Sequence, residues 1–216
     1  MSERDGLFLT FEGGEGAGKT TQIVRLADAL TARGHVVTRT REPGGDPVGE
    51  RVRELLLHAR TGAVGPQAEL LLFGAARAQN VQTVVRPALA AGHAVLCDRF
   101  TDSTLAYQGA GRGLPLPLIA EVNAFATGGL VPDRTFLLDL PPAVGLARQD
   151  PDAQNRLDRE QLDFHERVRA GFLRIAAREP NRIRVLDAAR PADAVFADLL
   201  AAVLLLLEPH DLGIRG

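Results

Sequence analysis

Residues 13–20 read GGEGAGKT, an instance of G-x-x-x-x-G-K-S/T, and they lie between an apolar run and a stretch of helical periodicity. This segment constrains the fold more than any other, because such a turn belongs where a buried strand ends and a helix begins. Its glycines permit backbone shapes closed to other residues. Successive N–H groups can then converge on phosphate oxygens, while the helix that follows presents its positive end. Gly13, Gly14, Glu15, Gly16, Ala17, Gly18, Lys19, Thr20 and Thr21 are therefore expected to wrap the phosphates of a nucleotide. Lys19 should reach the β- and γ-phosphates and the Thr20 hydroxyl should ligate Mg2+. Of the 25 basic residues, Lys19 is the one lysine and the rest are arginines. A lysine kept here fits a need for a compact ammonium rather than a planar fork.

A phosphate loop alone leaves guanine-nucleotide switches, ATPases and small-molecule kinases open. With a single lysine, already used in the loop, no N-K-x-D guanine motif can exist. The switch reading falls away on that count. At 216 residues the chain is expected to form one domain. Its formal charge of -2 and pI near 6.2 argue against wholesale binding of nucleic acid, so any phosphate must be held locally. The one cysteine, Cys97, lies in an apolar run and can form no internal disulfide, which fits a cytoplasmic protein with a buried thiol. Residues 1–6 are polar and show no signal-peptide core, and the apolar run 199–207 is shorter than the ~20 residues that cross a bilayer. That run reads as a buried C-terminal helix or an interface helix, and no membrane partner is expected.

Short runs rich in Val, Leu and Phe alternate with longer helical patterns, as in βαβ units around a parallel sheet. Strands are expected over residues 7–11, 36–39, 94–97, 135–140 and 183–186, and helices over 19–33, 48–57, 67–91, 116–127, 142–148, 160–178 and 192–207. Gly34 and Gly92 follow two of these helices where a C-terminal cap belongs. Residues 42–49 and 149–155 are rich in turn formers and break the alternation, as segments that move over a site would. The pair Asp98-Arg99 follows the third strand, at the carboxyl end where open α/β sheets bind ligands. Asp98 could support Mg2+ through water, and Arg99 could clamp an acceptor phosphate bidentately.

Four segments, FEGGEGAGKTT at 11–21, REPGG at 41–45, LLLFGAARAQ at 70–79 and DRFTDSTLAYQGAGRGL at 98–114, match the thymidylate kinase family in order and spacing. The chain resembles that family from Phe8 to about Leu200. The DR and AYQG pair together with REPGG is specific to it among P-loop kinases. The resemblance implies an α/β, three-layer P-loop nucleoside monophosphate kinase fold with a five-stranded parallel sheet flanked by helices. It also implies a homodimer and the phosphorylation of dTMP to dTDP by ATP with Mg2+. Position by position, Phe73 takes the role of stacking on thymine and Arg77 that of hydrogen-bonding its carbonyl. Four apart on one expected helix, the two project from the same face. Thr104 and Gln108 match the base pocket, and Tyr107 the residue beside the sugar that disfavours a 2′-hydroxyl. Glu15 matches the carboxylate that contacts the 3′-hydroxyl, and Arg41, Pro43 and Arg53 match positions around the acceptor.

The attacking oxygen of dTMP is already anionic, so the task is to align two phosphates against their repulsion and to place positive charge along the transfer path. Lys19, Arg99, Mg2+ and the helix N-terminus supply part of that charge. In the family, further arginine comes from inside the phosphate loop or from a lid. Residues 14–18 contain no arginine, so a lid over residues 148–160, RQDPDAQNRLDRE, is expected to supply it. Arg156 is the first candidate and Arg148 the second. This stretch is less basic than many of its kind, carrying Asp150, Asp152 and Asp158, of which Asp158 could orient an arginine. Two alternatives are a kinase for another nucleoside monophosphate and a nucleotide-binding regulator without turnover. Gly74 and Phe100 are milder departures from the family pattern, which often has a larger residue and a tyrosine or histidine there.

Overall fold

A computed structural model describes residues 6–57, 64–150 and 155–207. Five strands form one parallel sheet in the order β2-β3-β1-β4-β5. They are β1 (Leu7–Glu12), β2 (Val37–Arg41), β3 (Ala94–Asp98), β4 (Arg134–Asp139) and β5 (Ile183–Asp187). Central β1, LFLTFE, is buried almost throughout and shows no polar alternation, the pattern of a strand covered on both faces. Leu9 and Phe11 pack in a core with Leu26 and Leu30 of α1 (Lys19–Thr31) and Leu199 and Val203 of α9 (Ala192–Leu207). Phe8 faces a second core with Val85, Val95 and Phe100, its ring meeting that of Phe100 edge-on at 5.1 Å.

The remaining helices are α2 (Pro47–Leu57), α3 (Pro66–Asn80), α4 (Arg86–Ala90), α5 (Thr101–Thr104), α6 (Leu116–Thr127), α7 (Pro142–Ala147) and α8 (Leu162–Arg178). The helix expected over 67–91 is present as α3 and α4 joined by a π-helical segment, Val81–Val85. Another π-helical segment, Leu105–Gly111, continues α5 where the sequence pattern shows no helix. Tertiary packing explains that departure. Residues 105–111 lie against α8, where a side chain at Gly111 would strike Phe164 and one at Gly171 would strike Ala110. The missing side chains of Gly111 and Gly171 are what lets these two helical segments approach.

The connection leaving β1 runs to β2 on one side, whereas the chain leaving β3 crosses to β4 on the other. The loops after these two neighbouring strands therefore diverge and open a crevice at the carboxyl edge of the sheet. The phosphate loop and the Asp98-Arg99 pair occupy these two loops.

Candidate active site

The crevice is a cleft of about 900 Å³. Into it open Glu15, Gly16, Lys19 and Thr20 from the phosphate loop, Arg41, Pro43 and Arg53 from β2 to α2, and Phe73 and Arg77 from α3. Asp98, Arg99, Thr104, Tyr107 and Gln108 complete it from the segment after β3. Sequence positions nearly a hundred apart are thus brought onto one surface. Gly13, Gly14, Ala17, Gly18 and Thr21 shape the loop without lining the cleft.

The loop owes its shape to positive backbone φ at Gly13, Gly16 and Gly18, and to contact with α7. A Cβ on Gly16 would collide with the carbonyl oxygen of Gly145, and one on Gly145 with the carbonyl oxygen of Glu15. Lys19 is buried, and its ammonium donates to the carbonyl oxygens of Gly13 (3.0 Å) and Gly14 (2.7 Å). Burial, with Arg99 nearby, lowers its pKa to about 8. Thr20 donates its hydroxyl to Asp98 at 2.9 Å. A hydroxyl and a carboxylate side by side beside a phosphate loop are an all-oxygen donor set, which suits a hard cation that takes its other ligands from phosphates and water.

On the acceptor side Arg99 spans the gap. Its guanidinium donates to the Gly13 carbonyl at 3.0 Å, to the Ser103 hydroxyl at 3.3 Å and to the Glu15 carboxylate at 3.1 Å. Tyr107 donates its hydroxyl to the same Glu15 oxygen and lies beneath the guanidinium, 5.0 Å from ring centre to charge. The other Glu15 oxygen faces the buried Nδ1 of His165 at 3.4 Å. Burial alone would raise the Glu15 carboxyl, but His165, Arg99, Lys19 and Tyr107 hold it well below the usual range. Burial pulls His165 down, yet Glu15 and Asp158 together raise it above its ordinary value. His165 is a site residue that sequence reasoning missed, since a lone histidine on α8 carries no local signal.

Phe73 opens to the cleft and packs against the core built around Tyr107 and Phe172. Arg77 is 1% exposed and donates to Glu42 (2.7 Å), Thr104 (2.9 Å), Asn123 (2.6 Å) and the Phe100 carbonyl (2.9 Å). Glu42 thus pairs with the buried guanidinium, and one of the five N–H groups that an arginine carries is left over. Gln108 donates to Glu69 at 2.8 Å. Arg41 pairs with Glu50, and Arg53 donates to the Pro43 carbonyl.

The two arginines expected in a lid have different partners. Arg148 donates to the Gly16 carbonyl of the phosphate loop at 3.3 Å and to that of Ala188 at 3.4 Å. Arg156, expected first, instead donates to the Leu56 carbonyl at 2.9 Å and pairs with Glu69, which Arg112 also reaches. Asp158 accepts from the Asn155 N–H at 2.8 Å. Residues 151–154 of the expected lid, including Asp152, lie outside the described residues.

A family model described as thymidylate kinase matches residues 11–199 of the chain. The chain is 57% identical over 199 residues to a thymidylate kinase of Deinococcus radiodurans, covering 92% of this chain and 96% of the relative. It is 51% identical over 216 residues to one of Desulfovibrio desulfuricans, covering 96% and 100%. A solved thymidylate kinase from Ehrlichia chaffeensis superposes with a TM-score of 0.75 at 34% identity, covering 92% of this chain and 98% of that one.

Proposed function

The chain belongs to the thymidylate kinase family, and from that premise we infer how its own residues carry out the reaction. It is a nucleoside monophosphate kinase that phosphorylates dTMP to dTDP with ATP as donor. The observation that carries the reading is Arg99, bonded at once to the phosphate loop and to Glu15.

The phosphate loop holds the ATP phosphates. Lys19 exchanges its two carbonyl partners for the β- and γ-oxygens, and this contact to phosphate offsets the burial that weakens its charge. The residues present fit Mg2+, with Thr20 as a direct ligand and Asp98 acting through water. The ion would spread the charge of the donor phosphates. dTMP lies across the cleft with thymine on Phe73 and its carbonyl on the remaining N–H of Arg77, beside Thr104 and Gln108. Tyr107 packs against the sugar and Glu15 accepts from its 3′-hydroxyl. Arg99 binds the acceptor phosphate, with Arg41, Pro43 and Arg53 around it. The acceptor oxygen needs no base, so the catalytic residues work by alignment and charge. They are Lys19, Arg99, Glu15 and a lid arginine. Arg148 already touches the loop, and Arg156 reaches the transfer path only once it leaves Glu69.

One domain over residues 1–216, with the lid at 148–160, serves this reaction in the cytoplasm. No helix among the described residues is long and apolar enough to cross a membrane. A homodimer through α3, with α6 beside it, is supported by apolar side chains facing outward there, Leu71 (61% exposed) and Phe125 (90%). Lys19→Ala tests the assignment of the two subsites. It should lower kcat at least ~100-fold while dTMP still binds in a titration. Loss of dTMP binding would mean that the acceptor pocket is misplaced.

A further inference from the structure

Beneath the turn that carries Arg99 sit two buried carboxylates with no part in the transfer itself, Glu12 and Asp102. Glu12 closes β1, one residue before the phosphate loop, at 0% exposure amid Phe11 and Phe100. A charged residue at the end of a buried strand is costly unless its oxygens are well supplied with donors. Here they are. One Glu12 oxygen accepts from the backbone N–H of Phe100 at 2.8 Å and of Ser103 at 3.1 Å, and the other accepts from the Ser103 hydroxyl at 2.5 Å. Those donors all follow, within four residues, a strained point. Arg99 has φ of +69°, the one non-glycine residue with positive φ among the described residues. Such a conformation persists only where its surroundings over-determine it.

The same contacts reach the guanidinium. The Ser103 hydroxyl that donates to Glu12 accepts from Arg99 at 3.3 Å, so backbone and side chain of Arg99 are tied to one carboxylate. Asp102, next to Ser103, is gripped by Arg182 through two bonds of 2.8 Å, which fixes the far side of the turn against the start of β5. We propose that Glu12 is a positioning residue for the acceptor-phosphate arginine: its hydrogen bonds to Phe100 and Ser103 hold Arg99 in its left-handed turn, at a set distance from the phosphate loop. The inference rests on the reading of Arg99 as the acceptor clamp. Glu12 does not touch substrate. It sets where a positive charge stands relative to the donor, and a displacement of about 1 Å at such a point can cost ~100-fold in rate.

Steady-state kinetics on the full chain, varying dTMP and ATP separately, test this. Glu12→Ala should raise the KM for dTMP and lower kcat, each ~10-fold or more, with the KM for ATP unchanged within about twofold. Glu12→Gln keeps an oxygen for the two N–H groups and should restore most of the loss. Ser103→Ala removes only the bridging hydroxyl and should shift the dTMP constants in the same direction by a few-fold, which keeps the test open if Glu12→Ala fails to fold. Equal weakening of ATP and dTMP in Glu12→Ala, or unchanged kinetics in a folded Glu12→Ala or Ser103→Ala protein, would overturn the proposal. Arg99→Ala separates the two layers. If it leaves the KM for dTMP unchanged, the clamp assignment fails. If it raises that KM while folded Glu12→Ala does not, the positioning role alone fails.

Discussion

Glu15 shows how one side chain acquires its function from neighbours. Its two oxygens are divided, one receiving Arg99 and Tyr107 and the other facing His165, so the carboxylate is pinned with little freedom to move. The division has a pH signature. His165 has its pKa raised in the folded chain, so the native state holds more proton than the unfolded state above the ordinary histidine pKa of ~6.5. The stabilisation is complete below that point and fades as pH rises through the folded value. Glu15, held low, adds stability above its ordinary range that is lost in acid. Melting curves of His165→Asn and the natural protein should therefore differ most near pH 6 and converge toward alkaline pH. A gap that widens with pH would contradict a charged His165 paired with Glu15. This contact was not legible in the sequence, because Glu15 and His165 stand 150 positions apart and nothing local marks either as the other's partner. The residues of the phosphate loop were legible, because backbone shape, charge and helix start are all encoded within ten positions.

At the scale of elements, the loop's geometry depends on α7, a short helix none of whose residues lines the cleft. Gly16 and Gly145 meet with no room for a methyl group on either, so α7 acts as the back wall of the phosphate loop. Gly145→Ala should push the loop forward, destabilise the fold by ~1–3 kcal/mol and raise the KM for ATP more than that for dTMP. Differential scanning calorimetry with two-substrate kinetics would show this, and an unshifted melting temperature would refute it. The strand and helix alternation was readable from hydrophobic period because the three inner strands β1, β3 and β4 are buried on both faces. The helical segment 101–111 was not, since its glycines match turn chemistry and only the approach of α6 at Gly109 and of α8 at Gly111 turns them into packing residues. Arg156 illustrates the same limit. Its place in the stretch that the family resemblance implies as a lid suggested a phosphate ligand, but Glu69, on another element, competes for it.

The whole molecule places the phosphate loop and the Arg99 turn after adjacent strands whose connections diverge, which is why both open onto one cleft. Its outward face over α3 and α6 leaves Leu71, Leu118 and Phe125 exposed. If two copies meet there, light scattering should give a dimer at micromolar concentration, and Phe125→Asp should shift it to monomer without altering the melting transition of the monomer itself. A natural protein that remains monomeric would remove the dimer from the account. The central claim concerns what the cleft accepts. An ADP-release assay with ATP, Mg2+ and a panel of nucleoside monophosphates tests it most directly. The account predicts that dTMP gives the highest kcat/KM of the panel, whereas a preference for GMP, CMP or AMP would contradict it.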